Sequence, residues 1–281
     1  MQGTEIVTDD ITTFLLVFLR LGIVMTFLPF FGSKNLPPQF RIGLILALSL
    51  LLTPIVQTVI QPGESLQSST EQVAGHKSDM KNQKTLWAES DIPLMVIKET
   101  IFSFVLALTV RFIFYAVDTA GQIIAITMGL SMANVFNPEI GQSTEIARLY
   151  GIVAFLLFLS LDAHHYFIYA FIESFKHVAV GGADIKSMVS AGIALSSRIF
   201  TLAIKLSAPV ITVIMITNIL LGMLSKLIPQ FNIFFVGYPI YITMGYIVML
   251  LCLPLMIYIL SGYFIGIKGD LTGIILSGGT R

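Results

Sequence analysis

The stretch Ser225–Ile240, SKLIPQFNIFFVGYPI, decides the fold because it interrupts the longest apolar run of the chain. No charged residue lies between Lys226 and Lys268, and this run is about twice as long as the ~20 helical residues that cross a bilayer. Pro229 lacks a backbone donor and disfavours helix at the residue before it. The pattern favours two membrane helices joined by a turn; one long helix with a kink is the alternative.

The four residues PQFN, from Pro229 to Asn232, are the predicted tip of this hairpin. Backbone groups that a break leaves unpaired in hydrocarbon cost several kcal/mol each. The side chains of Gln230 and Asn232 can hydrogen-bond such groups. Polar residues therefore stand where a turn needs them.

The composition is that of a membrane protein. Of the 281 residues, 56% are hydrophobic and 11% charged, and the mean hydropathy is +0.88, whereas a soluble domain carries about 25% charged residues. The formal net charge of zero argues against a nucleic-acid-binding protein. A single cysteine, Cys252, excludes an intramolecular disulfide and a cysteine-rich metal cluster. The acidic start MQGTEIVTDD does not resemble a secretory signal, so we expect it to be retained.

The spacing between charges divides the chain into six hydrophobic regions of membrane-helix length or longer. They are residues 11–31, 39–60, 93–130, 146–175, 196–224 and 231–267. Residues 62–91 are rich in Ser, Gln, Lys and Glu and are predicted to form a flexible polar loop. The other connections are short. The sequence therefore predicts an all-α membrane protein with one helical domain over residues 1–281.

Charged residues also occur inside or at the edges of these apolar regions, where a charge at the centre of a helix costs about 2.5 to 3.5 kcal/mol. They are Arg20, Arg111, Asp118, Asp162 and Lys205. We interpret them as residues of buried protein–protein seams, with a water-lined path as the alternative.

Asp162, His164 and His165, in LDAHHYF, suggest two further roles. A carboxylate and imidazoles inside a membrane can relay protons, and they can also cap packed helices. Capping is favoured because the chain offers no second acidic partner for a relay. Adjacent histidines point about 100° apart on a helix, so the sequence does not predict a metal site here.

Motifs for enzymatic chemistry are missing from the sequence. It contains neither a phosphate-binding loop ending in Gly-Lys-Ser/Thr, nor a Gly-x-Ser-x-Gly elbow, nor His-Glu-x-x-His. We expect no enzymatic activity and no cofactor.

The segment after the third region, Gly121–Glu145, combines apolar residues with turn chemistry. Gly121, Gly129 and Pro138 bracket a methionine-rich, helix-poor patch within it, and Asn134, Asn137 and Pro138 favour a turn. Irregular backbone at membrane depth is tolerated only inside protein or against a cavity. This loop is therefore the best candidate for a constriction.

Three ordered motifs resemble one known family. They are MGLSMANVFNPEIGQ at 128–142, LLFLSLDAHHYFIYAFIESF at 156–175 and LIPQFNIFFVGYPI at 227–240. Together they are similar to the FliR family of flagellar type III export proteins, known as SctT in virulence injectisomes. The resemblance covers nearly the whole chain and weakens between residues 62 and 91.

The resemblance implies an export gate of the bacterial inner membrane, in the flagellar basal body. In the family, one such chain assembles with FliP-like and FliQ-like subunits and an FlhB-like protein into a ring of tilted helical hairpins. The ring passes unfolded flagellar proteins and sits shallowly, toward the periplasm. By the same resemblance, the last two helices form a FliQ-like hairpin with PQFN at its turn.

The family also implies a plug inside the pore, which falls here on Met132, Val135 and Phe136. Many relatives carry phenylalanine at the first two positions, but methionine fills irregular gaps and an apolar constriction still blocks ions by dewetting. The chain departs from the family again at Asp162 and Ala163, where relatives often have Asn-Gly.

Three other functions compete with a flagellar gate. An injectisome gate subunit would differ in its substrates. A secondary transporter would need an inverted repeat, of which a shared Pro-Gln-Phe is the only trace. A scaffold without a pore would pass no ions when its apolar loop is deleted.

Overall fold

The computed structural model describes residues 2–28, 37–60, 92–130, 145–178, 182–228 and 233–279, and all regular secondary structure in these ranges is α-helical. The predicted all-α fold class is therefore confirmed. The helices are α1 (Gln2–Phe27), α2 (Pro38–Ile60), α3 (Ile92–Thr127), α4 (Glu145–Ser160), α5 (Ala163–His177), α6 (Ile185–Leu227), α7 (Ile233–Leu251) and α8 (Leu253–Gly278).

Four of the described helices are long and apolar enough to cross a membrane. The qualifying segments are Pro38–Val56, Pro93–Thr127, Ile185–Leu227 and Leu253–Gly278. Helices α4 and α5 are each too short to cross a membrane, but together they are long and apolar enough. The pair is bent by 68° and would make a fifth span. The chain is thus a membrane protein by the length and composition of its helices.

The predicted region 146–175 contains two helices because Asp162 cannot continue a right-handed helix. Its φ of 53° lies in the left-handed region, which Asp tolerates better than most residues. Helix α4 closes with a tighter turn, in which the Asp162 amide donates to the Leu159 carbonyl at 3.1 Å. Helix α5 begins at the next residue, Ala163.

The predicted region 231–267 is also divided, into α7 and α8, at Cys252. Pro254 follows this interruption and has no amide proton to donate to the preceding turn. Upstream, α6 ends at Leu227 and α7 begins at Ile233, so separate helices flank PQFN. The predicted turn residues Pro229, Gln230 and Asn232, like the predicted loop at 62–91, lie outside the described residues.

Three predicted boundaries are wrong by about ten residues. Helix α6 starts at Ile185 instead of residue 196, α1 starts at Gln2 instead of residue 11, and α8 ends at Gly278 instead of residue 267. Apolar content sets the span that can lie in a membrane, but a helix can continue beyond it wherever polar residues are solvated. Reading boundaries from charges therefore shortens helices at their polar ends.

The chain divides into two compact units. The first comprises Met1–Thr109, Phe167–Gly192 and Gly269–Arg281, and the second comprises Val110–Tyr166 and Ile193–Lys268. The helices α3, α5, α6 and α8 contribute residues to both units. The prediction of one helical domain stays a prediction.

An aromatic cluster forms part of the core of the second unit. The rings of Phe114, Phe158 and Phe264 lie 5.6 to 5.8 Å apart between centroids. These distances are typical of stabilising aromatic pairs. The cluster joins α3, α4 and α8 inside the unit.

Replacing Gly121 with alanine is expected to destabilise the second unit by about 1 to 3 kcal/mol. A Cβ at Gly121 would lie 2.4 Å from the Cα of Ala147, so α3 and α4 can touch only because this side chain is absent. The control is Gly151→Ala on α4, where nothing lies within 4 Å and helix propensity predicts a gain of about 0.5 to 1 kcal/mol. Thermal unfolding in detergent compares the two variants, and equal midpoints would contradict the close contact.

Candidate functional site

Helix α3 ends in a Schellman motif directly before the loop that the sequence singles out. The Leu130 amide donates to the Ala125 carbonyl at 2.9 Å, and the Gly129 amide donates to the Ile126 carbonyl at 3.0 Å. This pair of bonds needs a left-handed residue at the C-terminal position, and Gly129 has a φ of +80°. The sequence thus fixes where α3 stops.

Helix α7 holds this end of α3 in place. The Tyr238 hydroxyl donates to the Gly129 carbonyl at 3.0 Å, and the Tyr238 ring lies 3.1 Å from where a Cβ of Gly129 would be. Next to it, the fully buried Met128 packs against Gly245, where a Cβ would fall 2.5 Å from the Met128 side chain. Two glycines therefore make room for the contact between α3 and α7.

The other end of the loop also lies beside α7. Helix α4 begins at Glu145, and a cavity of about 260 Å³ separates its first turns from α7. The cavity is lined by Glu145, Ile146, Arg148, Leu149, Ile152, Tyr246 and Met249. The two helix ends that precede and follow residues 131–144 in the sequence therefore both border α7.

The predicted plug falls between α3 and α4 in the sequence and outside the described residues. It comprises the gate residues Met132, Val135 and Phe136 and the loop-shaping residues Asn134, Asn137 and Pro138. Gly129 is the one loop-shaping residue that the structure describes, and its left-handed conformation agrees with a turn starting there.

Removing the hydroxyl of Tyr238, in Tyr238→Phe, is expected to weaken the anchoring of the α3 terminus by about 0.5 to 1.5 kcal/mol. The Gly129 carbonyl loses its side-chain donor while the ring keeps its packing. The control Tyr258→Phe removes a hydroxyl from a side chain that is 77% exposed. Hydrogen exchange of residues 124–130 should speed up only in the first variant, and equal exchange in both would count against the anchor.

A buried ion pair lies in the first unit. Arg20 and Glu99 are both fully buried, and the guanidinium donates to both carboxylate oxygens through Nε and through Nη2, the latter at 3.0 Å. Arg20 Nη1 also donates to Ser174 Oγ at 3.2 Å. The rings of Phe102 and Phe175 lie 4.7 and 4.1 Å from the guanidinium carbon. The Arg20 charge thus has its partners inside this chain, and no neighbouring subunit is needed to neutralise it.

Three other charges predicted to lie in subunit seams have local contacts. The Arg111 guanidinium carbon lies 5.0 Å from the centroid of the Tyr115 ring, and Asp118 accepts a hydrogen bond of 2.8 Å from Gln122. Lys205 lies 6.0 Å from the centroid of a tyrosine ring on α8. Whether a subunit also covers these residues stays a prediction.

At the α4–α5 break the structure brings together three side chains for which the sequence does not predict a metal site, and that expectation stays a prediction. One ligand atom from each of Asp162, His164 and His165 lies within 4.8 Å of the others, and the two imidazole centroids are 4.1 Å apart. Asp162 is left-handed and precedes the first turn of α5, and its carboxylate lies beside His165 in that turn.

Sequence reasoning missed Glu99, Ser174 and Tyr238. Glu99 could have been found, because it is an acidic residue inside the apolar region 93–130 and needs a buried partner. Its pairing with a residue 79 positions away could not. Tyr238 stands in the quoted VGYPI, but no local pattern shows which carbonyl its hydroxyl reaches.

Comparison with known proteins identifies the group to which this sequence is similar. Residues 11–266 match the family described as Bacterial export proteins, family 1. That match covers all of the described helices except the first nine residues of α1 and the end of α8.

Individual relatives agree with this match. The chain is 27% identical over 264 residues to the flagellar biosynthetic protein FliR of Bacillus subtilis, covering 92% of each chain. It is 30% identical over 247 residues to FliR of Pectobacterium carotovorum, covering 87% of this chain and 85% of the relative. It is 28% identical over 241 residues to FliR of Escherichia coli, covering 84% and 82%.

Proposed function

From the premise that this chain belongs to bacterial export protein family 1, as a FliR-type component of the flagellar protein export apparatus, we propose that it forms part of the pore through which unfolded flagellar proteins leave the cytoplasm. The observation that carries this proposal is the match of residues 11–266 to a family of export proteins. The relatives are named flagellar biosynthetic proteins, and this favours flagellar substrates over those of an injectisome.

In this proposal, Met132, Val135 and Phe136 close the pore at rest. The support is the family resemblance of LSMANVFNP together with the contacts that hold the end of α3 before it. Gly129 ends α3 in a left-handed turn, and Tyr238 fixes that end to α7. A loop with firmly held ends can present apolar side chains at a constriction, where they exclude ions by dewetting.

Partner subunits are proposed to cover a large part of the chain. Large apolar side chains are widely exposed in the described residues, among them Phe235 at 82%, Leu227 at 77% and Leu251 at 74%. Lipid and neighbouring subunits are the two environments that remove such surface from water. We assign the subunit contacts to FliP-like, FliQ-like and FlhB-like proteins by family resemblance.

The site of action is proposed to be the bacterial inner membrane, within the flagellar basal body. The membrane-length helices require a bilayer or an equivalent apolar environment. The chain would act as a conduit without enzymatic activity or a cofactor of its own. Exported chains would pass through the assembly in an extended state.

Expression with and without these partners tests the assembly. We expect the chain to copurify with FliP-like and FliQ-like proteins encoded beside it, and to be degraded or to aggregate when produced alone. The exposed apolar surface is the physical reason. A monodisperse, protease-resistant monomer that binds neither partner would overturn the proposal.

A further inference from the structure

The break between α4 and α5 brings together two imidazoles and one carboxylate. Nδ1 of His165 lies 3.4 Å from Oδ1 of Asp162, and the His164 ring lies 4.1 Å from the His165 ring between centroids. One ligand atom of each residue lies within 4.8 Å of the others. The side chains of Asp162 and His165 are 70% and 68% exposed, so an ion can reach them.

These distances suit a small metal ion. Zinc–nitrogen and zinc–oxygen bonds of about 2.0 to 2.1 Å in a tetrahedron place neighbouring ligand atoms ~3.3 Å apart. The His165–Asp162 distance already has this value, and the 4.8 Å limit requires only modest side-chain rotation for the third ligand. Two imidazoles with a carboxylate form a donor set of the type found in zinc sites that keep an open fourth position.

A second observation concerns His164. Its Nδ1 atom is enclosed, and no hydrogen-bond partner for it occurs in the part of the chain that the structure describes. The Phe158 ring lies 6.3 Å away between centroids and offers no polar partner. A buried polar atom without a partner needs an explanation, and a bound ion or water is a common one.

We propose that Asp162, His164 and His165 bind one divalent transition-metal ion of the zinc class. Water completes the coordination in the isolated chain. An ion bound there holds the left-handed Asp162 against the first turn of α5 and stabilises the break between the helices. The proposal is independent of the export function, since it depends only on these three side chains.

The chain contains an internal comparison for this site. His177 lies 3.3 Å from Glu173, but the same carboxylate also pairs with Lys176 at 3.1 Å. An ammonium group repels a metal ion, and this cluster has only one imidazole. His177 is therefore a histidine beside a carboxylate that we do not expect to bind zinc.

The test uses the full-length chain purified in detergent together with its FliP-like and FliQ-like partners, through a tag without histidine, and stripped with a chelator. Zn²⁺ is titrated in competition with a zinc indicator, and Co²⁺ is added separately to follow its visible absorption. We expect one saturable Zn²⁺ per chain above the background of His165→Ala, and the intense Co²⁺ bands of four-coordinate geometry. Even outer-shell partners of metal ligands are worth ~10- to 100-fold in affinity, so loss of His165 should weaken binding at least tenfold.

Two further variants separate ligation from folding. Asp162→Asn keeps a residue that tolerates the left-handed conformation but removes the charged ligand, so zinc affinity should fall while the amount of chain stays unchanged. His177→Ala should leave zinc binding unaltered. The proposal is overturned if the unmodified chain shows no saturable Zn²⁺ and no four-coordinate Co²⁺ spectrum, or if His165→Ala binds as tightly as the unmodified chain.

Discussion

Replacing Glu99 with alanine is expected to cost about 3 to 5 kcal/mol of stability. The variant leaves the Arg20 guanidinium buried without its counter-charge, and Ser174 together with two aromatic rings cannot replace a carboxylate that accepts two hydrogen bonds. Since proteins are stable by only about 5 to 15 kcal/mol, most of the chain should be degraded in cells. Immunoblots of membranes and thermal unfolding in detergent measure the loss.

The matching double variant distinguishes a buried charge from a general packing defect. Arg20→Met with Glu99→Leu removes both charges, and replacing a buried pair with apolar residues is often neutral or stabilising. It should therefore be more stable than Glu99→Ala. Glu145→Ala serves as the control, because that carboxylate is 72% exposed and its pair with Arg148 is worth less than about 1 kcal/mol. A Glu99→Ala variant as stable as Glu145→Ala would refute the role of the pair.

The second large effect is expected at the proposed plug. Replacing Met132 and Val135 with asparagine should let small ions leak through the resting assembly while protein export continues, because polar side chains lower the free energy of wetting an apolar constriction. Membrane ion leak is measured alongside the amount of assembled complex.

Two comparisons make this result specific. Met223→Asn with Val189→Asn changes the same residue types at exposed helical positions and should cause no leak. If Met132 and Val135 only pack in a core, their replacement should cost about 2 to 5 kcal/mol each and reduce the assembled complex without a leak. Normal assembly with an unchanged ion barrier would rule out the gate role of this pair.

Much of the fold could be predicted because apolar run length and proline placement act locally. The uncharged run from Lys226 to Lys268 and its proline predicted a break at PQFN, and the structure has separate helices on either side of it. The composition predicted the all-α class. The break at Asp162 was not predicted, since a single left-handed residue leaves no mark in hydropathy. The early starts of α1 and α6 were missed for a related reason, because polar helix ends resemble loops.

Less of the candidate site could be predicted. Gly129 was singled out because it borders an apolar patch with turn chemistry, and the structure gives it a positive φ at the end of α3. Arg20 was recognised as costly in an apolar helix and was assigned to a subunit seam, but its intrachain partner Glu99 was not identified. Long-range pairing depends on which helices pack together, and a single sequence does not specify that. The same limit concealed the hydrogen bond from Tyr238.

The central claim, that this chain lines the export pore, is tested most directly by photocrosslinking to a stalled substrate. A photoreactive amino acid is placed at Phe136, and a flagellar substrate is fused to a domain that cannot unfold, so that export arrests inside the assembly. The control position is Phe200, which is 68% exposed on α6. We expect a crosslink between residue 136 and the arrested substrate, and none from residue 200. Arrested substrate without a crosslink at residue 136, or with equal crosslinks at both positions, would contradict the account.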